Sequence, residues 1–465
     1  MNPFRNILRL SVGDFVAKTL YFLAFVYLAR VLGVANYGVL EFALSILSYL
    51  LLLADGGLEL WATREAARGT DMRQLVARIV PLRFLLATGA FGMLLVLLPV
   101  FPDYPALQTI LVLFGLTLLA QAANLKWVFM GREQMARVAA GLVVAQIVFA
   151  VAVFGFVRGP AEVVWVPVLQ LAGDLAMAVY FWRLFAAMHG GRLAFTLRGA
   201  GSVLQPALTM GASQVLALMS YNFDSVLLGF FLGQMAVGWY NAAYKPVTVV
   251  LAMPFTYFLG LFPVLSRTYT ESQEAFREIV VRSLRLMSVF AVPIGVGGTF
   301  LAEPIIGFLF GPAYANSVLP LQILAWSAVL VILRFTYRQA LNAAGRQELD
   351  LRCASAAAGL NLGLNLLLMP RYGIIGAAVA TLLSEVLWLT TALYYFYRYV
   401  TRLRLLPLLA RPVAAAVAMG AFFLLTQPLF WVVRGFVGGL VYFGVLLLLG
   451  EVATFHMWAN HLPKA

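Results

Sequence analysis

Seven ionisable side chains stand out as candidate site residues among those set inside otherwise apolar stretches. They are the cations Lys18, Arg30, Lys245 and Arg334, and the acids Asp174, Asp224 and Glu385. A charge in such a stretch is expensive, so it normally faces a bundle interior or a water-filled space and finds a partner. Deep cations suit a phosphate-bearing ligand, because guanidinium and ammonium groups bind phosphate oxygens directly. Deep acids suit a proton or a small cation. Lys245 and Asp224 flank a turn near residue 234. Both lie roughly 12–15 Å from it at 1.5 Å per residue, so they are expected to be able to meet. Asp14 and Lys18 stand one helical turn apart, close enough to pair. Arg30 and Glu41 flank the first turn in the same way.

Other candidates have plainer explanations. Lys126 and Arg338 lie near turns, where snorkelling to the interface leads. Asn361 and Asn365 are expected as glue between helices. Tyr21, Tyr27, Trp239, Tyr240, Tyr244, Trp326 and Tyr337 lie where they can stack on sugars, although packing or an interfacial belt is the better reading for each singly. The single cysteine, Cys353, excludes an intrachain disulfide and a cysteine metal cluster. Three histidines, His189, His456 and His461, make no convincing metal set. No nucleotide-binding loop or catalytic constellation is present, so neither enzyme activity nor a cofactor or metal is expected.

The elements that carry these residues follow from composition. Hydrophobic residues make up 63% of the chain and charged residues 11%, against about 45–50% and about 25% in soluble proteins. The excess falls in runs of about 18–25 residues, the length that spans a bilayer. The fold class is therefore all-α and polytopic, with fourteen helices expected near 10–32, 37–62, 80–101, 106–130, 138–157, 162–186, 205–232, 236–263, 282–303, 317–343, 353–370, 373–399, 409–428 and 431–456. The first run reads as a retained signal anchor. Arginine and lysine crowd alternate connections, from Arg5 and Arg9 through Arg192 and Arg198 to Arg402, Arg404 and Lys464. The other set carries only Arg158, Arg371 and Arg434. The positive-inside rule then puts both termini in the cytoplasm. It also accounts for the net charge of +13 without nucleic acid. The longer connections near 63–79, 187–204 and 264–281 have room for short interfacial helices, Arg64-Glu65-Ala66-Ala67-Arg68 having the right character.

Two motifs recur about 200 residues apart. Leu32-Gly33 with Tyr37-Gly38 echoes Leu232-Gly233 with Val237-Gly238, and Gly131-Arg132 echoes Gly345-Arg346. A duplicated six-helix unit enters the membrane twice from the same side, which gives parallel lobes and a transporter-like design. The expected division is residues 1–200, 201–402 and an accessory pair in 403–465.

The stretch Leu28-Ala29-Arg30-Val31-Leu32-Gly33-Val34-Ala35-Asn36-Tyr37-Gly38-Val39 is similar to the opening signature of polysaccharide flippases. So are Ala54-Asp55-Gly56-Gly57-Leu58, Thr63 to Arg68, the Gly345-Arg346 turn and Tyr372-Gly373-Ile374-Ile375-Gly376-Ala377-Ala378. These flippases form the Wzx-like O-antigen branch of the multidrug/oligosaccharidyl-lipid/polysaccharide exporter superfamily. The resemblance implies two six-helix lobes with an accessory pair. It implies transfer of an undecaprenyl-pyrophosphate-linked oligosaccharide from the inner to the outer leaflet of the inner membrane by alternating access. Partners implied are that lipid-linked oligosaccharide, the phospholipid bilayer and polysaccharide polymerase machinery. Arg30 is carried over as a pyrophosphate contact by motif. Lys18, Lys245 and Arg334 join it on depth and charge, with Asp174, Asp224 and Glu385 as candidates for ion coupling. The rival readings are a cation-coupled drug antiporter of the same superfamily, kept alive by Asp14, Asp55 and Asp174, and a membrane scaffold that transports nothing. A membrane glycosyltransferase or polymerase would need a large outer loop that is missing here.

Overall fold

In lipid every backbone amide and carbonyl must be satisfied within its own segment, so long apolar runs become helices. The computed structural model describes residues 3–101, 103–190, 193–401, 406–426 and 430–451. Arg192, Arg402, Arg404, His456, His461 and Lys464 lie outside these described residues. Helix dominates and no strand occurs among the described residues. Among the described residues, ten helices are long and apolar enough to cross a membrane. Two of them, α1 (Pro3–Asp55) and α12 (Gln347–Tyr399), each join two expected spans through one non-helical glycine, Gly33 or Gly373. With α8 (Ala200–Phe231) and α9 (Gln234–Glu271) this is consistent with fourteen crossings.

The chain divides into two compact units, residues 1–241 and 242–465. The first holds α1, α2 (Leu58–Ala67), α3 (Met72–Leu97), α4 (Leu107–Ala122), α5 (Lys126–Gly131), α6 (Met135–Phe156), α7 (Trp165–His189) and α8. Its core includes Leu58, Trp127, Phe129 and Phe181. Because α8 lies against α1 and α2, it belongs with them; the division expected at residue 200 follows the duplication instead. The second unit holds most of α9, then α10 (Gln273–Leu309), α11 (Val318–Ala343), α12, α13 (Leu406–Leu425) and α14 (Trp431–Leu448). Phe258, Met287, Tyr337 and Phe396 anchor its main core. The α13–α14 pair docks on α10 through Ala415, Met419, Phe423 and Tyr442. The Tyr442 hydroxyl donates to the Val289 carbonyl at 2.8 Å, and Glu451 meets Arg411 at 3.2 Å and Arg285 at 3.9 Å.

The glycine echoes have physical causes. Gly33 (φ 75°) and Gly233 (φ 90°) both occupy the left-handed region that a side chain resists. Gly38 and Gly238 form a reciprocal contact: a Cβ on Gly38 would strike the Gln234 carbonyl, and one on Gly238 the Val34 carbonyl. The second echo is looser. Gly345 turns the chain at φ 72° with nothing near its Cβ position, whereas Gly131 is helical and pressed against Thr63 and Ala66 of α2.

Boundaries depart from expectation where local chemistry intervenes. The span expected to reach residue 62 stops at Asp55, because Gly56 and Gly57 both take positive φ and a new helix starts at Leu58. That helix, α2, contains the Arg64–Arg68 segment and buries Leu58, Ala62 and Ala66. The long connection expected near 264–281 is absent: α9 runs to Glu271 and α10 starts at Gln273, with the Ser272 hydroxyl accepting the Ala275 amide as a cap.

Candidate functional site

In the first unit, α1 carries Lys18 and Arg30 on exposed positions. The Lys18 ammonium meets Asp14 at 2.7 Å, one turn away as expected. Glu41 is buried farther along the same helix. Tyr21 is used in ring packing, with Phe25 at 4.3 Å and Phe149 at 6.1 Å. On α7, Asp174 is buried and receives the side-chain amides of Gln121 (3.0 Å) and Gln170 (3.4 Å). No cation accompanies it among the described residues. Asp224, near the end of α8, is buried and accepts the Tyr240 phenol at 2.8 Å. Lys245 itself is half-buried on α9, and its carbonyl accepts the Thr248 hydroxyl at 2.7 Å.

A four-charge network lies where α1 gives way to α2. The guanidinium of Arg83, buried on α3, stands 3.6 Å from Asp55 and 4.0 Å from Glu59, and donates to the Asn124 carbonyl at 2.8 Å. Lys126, the first residue of α5, meets Glu59 at 2.7 Å. Asp55 also accepts the backbone amide of Glu59 at 3.1 Å, holding the start of α2. Snorkelling was the leading expectation for Lys126; an ion pair to α2 replaces it. Sequence reasoning passes over Arg83. The signal was available, since it is a cation inside an expected span, 80–101, although nearer that span's end than Lys245 is to its own. Beside the network, a Cβ on Gly57 would collide with the Ala207 carbonyl of α8.

In the second unit, Arg334 on α11 is 0% exposed. Depth and charge made it a candidate pyrophosphate contact, but a carboxylate already holds it. Its Nε donates to Glu385 on α12 at 2.5 Å and its second nitrogen to the other carboxylate oxygen at 3.1 Å. The Trp388 ring lies 3.5 Å from its guanidinium carbon, a cation–π contact. A low-dielectric interior demands such a partner for a guanidinium. The pairing occupies two of the seven expected site residues with each other. Arg338 likewise does not snorkel alone, since its Nε donates to Asp350 at 3.0 Å. Asn361 and Asn365 bond each other along one helix at 2.9 Å, rather than only joining two. Trp326 covers Gly295 and donates to the Thr299 hydroxyl at 3.0 Å, and the Tyr27 hydroxyl donates to the Val157 carbonyl at 2.7 Å. Those aromatics serve packing. No group of three or more metal-ligating side chains occurs among the described residues.

Comparison with known proteins sets these charges in context. A family model described as "Polysaccharide biosynthesis protein" matches residues 4–269, and a MatE model matches residues 209–367. A "Probable flippase AglR" of Haloferax volcanii is 31% identical over 36% of this chain and 36% of its own length, so the chain spans about a third of that relative. A "Putative O-antigen transporter" of Escherichia coli (strain K12) is 23% identical over 85% of this chain and 96% of its own length. Among solved structures, "Lipid II flippase MurJ, inward closed conformation" superposes with a TM-score of 0.73 at 13% identity, covering 96% of this chain and 99% of that one. That likeness shows the fold.

Proposed function

Because the chain belongs to the polysaccharide biosynthesis protein family, we propose that it is a flippase for a lipid-linked oligosaccharide. The cargo is carried on an undecaprenyl-pyrophosphate-type anchor from the inner to the outer leaflet by alternating access. The observation that carries this reading is the similarity to an O-antigen transporter along 96% of that relative's length, with cations set within apolar helices of this chain. The protein would sit in the inner membrane with both termini cytoplasmic, beside the machinery that polymerises its cargo. Arg30, exposed on α1 within the signature segment, and Lys245, half-buried on α9, lead as pyrophosphate contacts. Lys18, exposed on α1 and paired with Asp14, is a further candidate on the same helix as Arg30. Arg334 can join only if Glu385 releases it.

Asp174 leads as the coupling acid. Its amide partners are neutral, which leaves its charge for a proton or small cation to balance. Glu385 is engaged with Arg334 and Asp224 with Tyr240. The antiporter reading keeps one specific support, the MatE match over residues 209–367. Purified protein in liposomes with a fluorescent lipid-linked oligosaccharide separates the two. Crossing of the sugar supports the flippase. Failure to cross under every ion gradient, with cationic drug exchanged instead, establishes the antiporter.

A further inference from the structure

Between α7 and α8 the chain forms a strap, residues 193–199, laid on the first turns of α3. The Thr196 amide donates to the Ala77 carbonyl at 3.0 Å. The Thr196 hydroxyl oxygen accepts the Arg198 amide at 3.1 Å, which stiffens the strap. Leu193 packs against the core of the first unit. Phe195 and Leu197 are left outside, 54% and 50% exposed. Arg78, next to the pinned Ala77, and Arg198 are both exposed. They line a shallow pocket together with Leu82, Thr196 and Leu197. Neither arginine takes part in an ion pair among the described residues.

Large apolar side chains exposed beside guanidiniums, on a segment fixed to the end of a membrane-spanning helix, match the chemistry of a bilayer interface. Apolar side chains enter the acyl boundary there, and cations meet lipid phosphate. We infer that this strap binds an anionic phospholipid headgroup. Arg78 and Arg198 take the phosphate, and Phe195 and Leu197 insert beside it. The charge of the pair selects anionic over zwitterionic lipid. A surface of this kind would hold the α7–α8 connection at the membrane plane whatever the protein carries, so it does not depend on the flippase reading.

The full chain in nanodiscs of mixed phosphatidylcholine and phosphatidylglycerol tests this, with retained lipid read by native mass spectrometry. The R78Q/R198Q variant should retain less phosphatidylglycerol, by about fivefold for each arginine lost, with phosphatidylcholine unchanged. The R132Q control, at an exposed arginine on another turn, should match the parent. Equal phosphatidylglycerol retention in R78Q/R198Q overturns the proposal. F195C gives an independent readout, because Cys353 is buried and stays unlabelled. A fluorophore at position 195 should be quenched by headgroup nitroxide lipid. Quenching by aqueous iodide instead would place the strap in water and overturn the proposal as well.

Discussion

Arg83 and Arg334 are both buried guanidiniums within apolar helices, one in each unit, and their partners differ in kind. Arg334 has one carboxylate, taken through two nitrogens, and a tryptophan face. It ties α11 to α12. Arg83 faces two carboxylates at longer range, shares one of them, Glu59, with Lys126, and adds a backbone carbonyl. It ties together the end of α1, α2, α3 and the segment before α5. The first arrangement is a closed pair whose two charges cancel. The second is a junction whose members substitute for one another in part, set where two glycines let the chain change direction. Charge in the membrane thus builds a two-helix strut in one unit and a several-element junction in the other.

Breaking the strut should cost most. Arg334→Ala leaves the half-buried Glu385 without its cation and should destabilise the protein by about 3–5 kcal/mol, read as a thermal shift in detergent. Replacing both partners by R334M/E385L should recover most of that loss, since a well-packed apolar pair is often neutral. If the double variant is as unstable as the single one, the pair does more than cancel charge. Arg83→Ala should cost less, about 2–3 kcal/mol, because Lys126 still neutralises Glu59. A larger loss than for Arg334→Ala would reverse the comparison. Gly38→Ala should cost about 1–3 kcal/mol by overpacking against Gln234, and Gly238→Ala a similar amount from the other side. Unequal costs would mean the reciprocal contact is not shared. Lys126→Ala, at a half-exposed pair, should cost about 1 kcal/mol or less, and less still in high salt.

Much of this was legible in the chain, and the failures are instructive. Gly33 and Gly233 announced their turns because a left-handed residue is a local demand, visible at one position. The Asp14–Lys18 pair was legible for the same reason. Arg334 and Glu385 lie 51 positions apart on helices whose rotation the sequence does not state. Each was seen as a deep charge, but their meeting was not. Lys126 and Glu59 escaped likewise, because α2 folds back against α5 only after the bend at Gly56 and Gly57. The connection expected near 264–281 failed for another reason. Its charged residues looked like a separate interfacial stretch, yet they continue α9 and α10 as polar helix ends around Ser272.

The separation of structural from working charge is open to one direct measurement: the rate at which a fluorescent lipid-linked oligosaccharide crosses liposomes holding each variant. R30A/K245A should lose crossing while keeping its fold, and R334M/E385L should keep crossing near the parent rate. Crossing that survives in R30A/K245A but vanishes in a stable R334M/E385L would contradict that separation and make Arg334 the cation that meets the cargo.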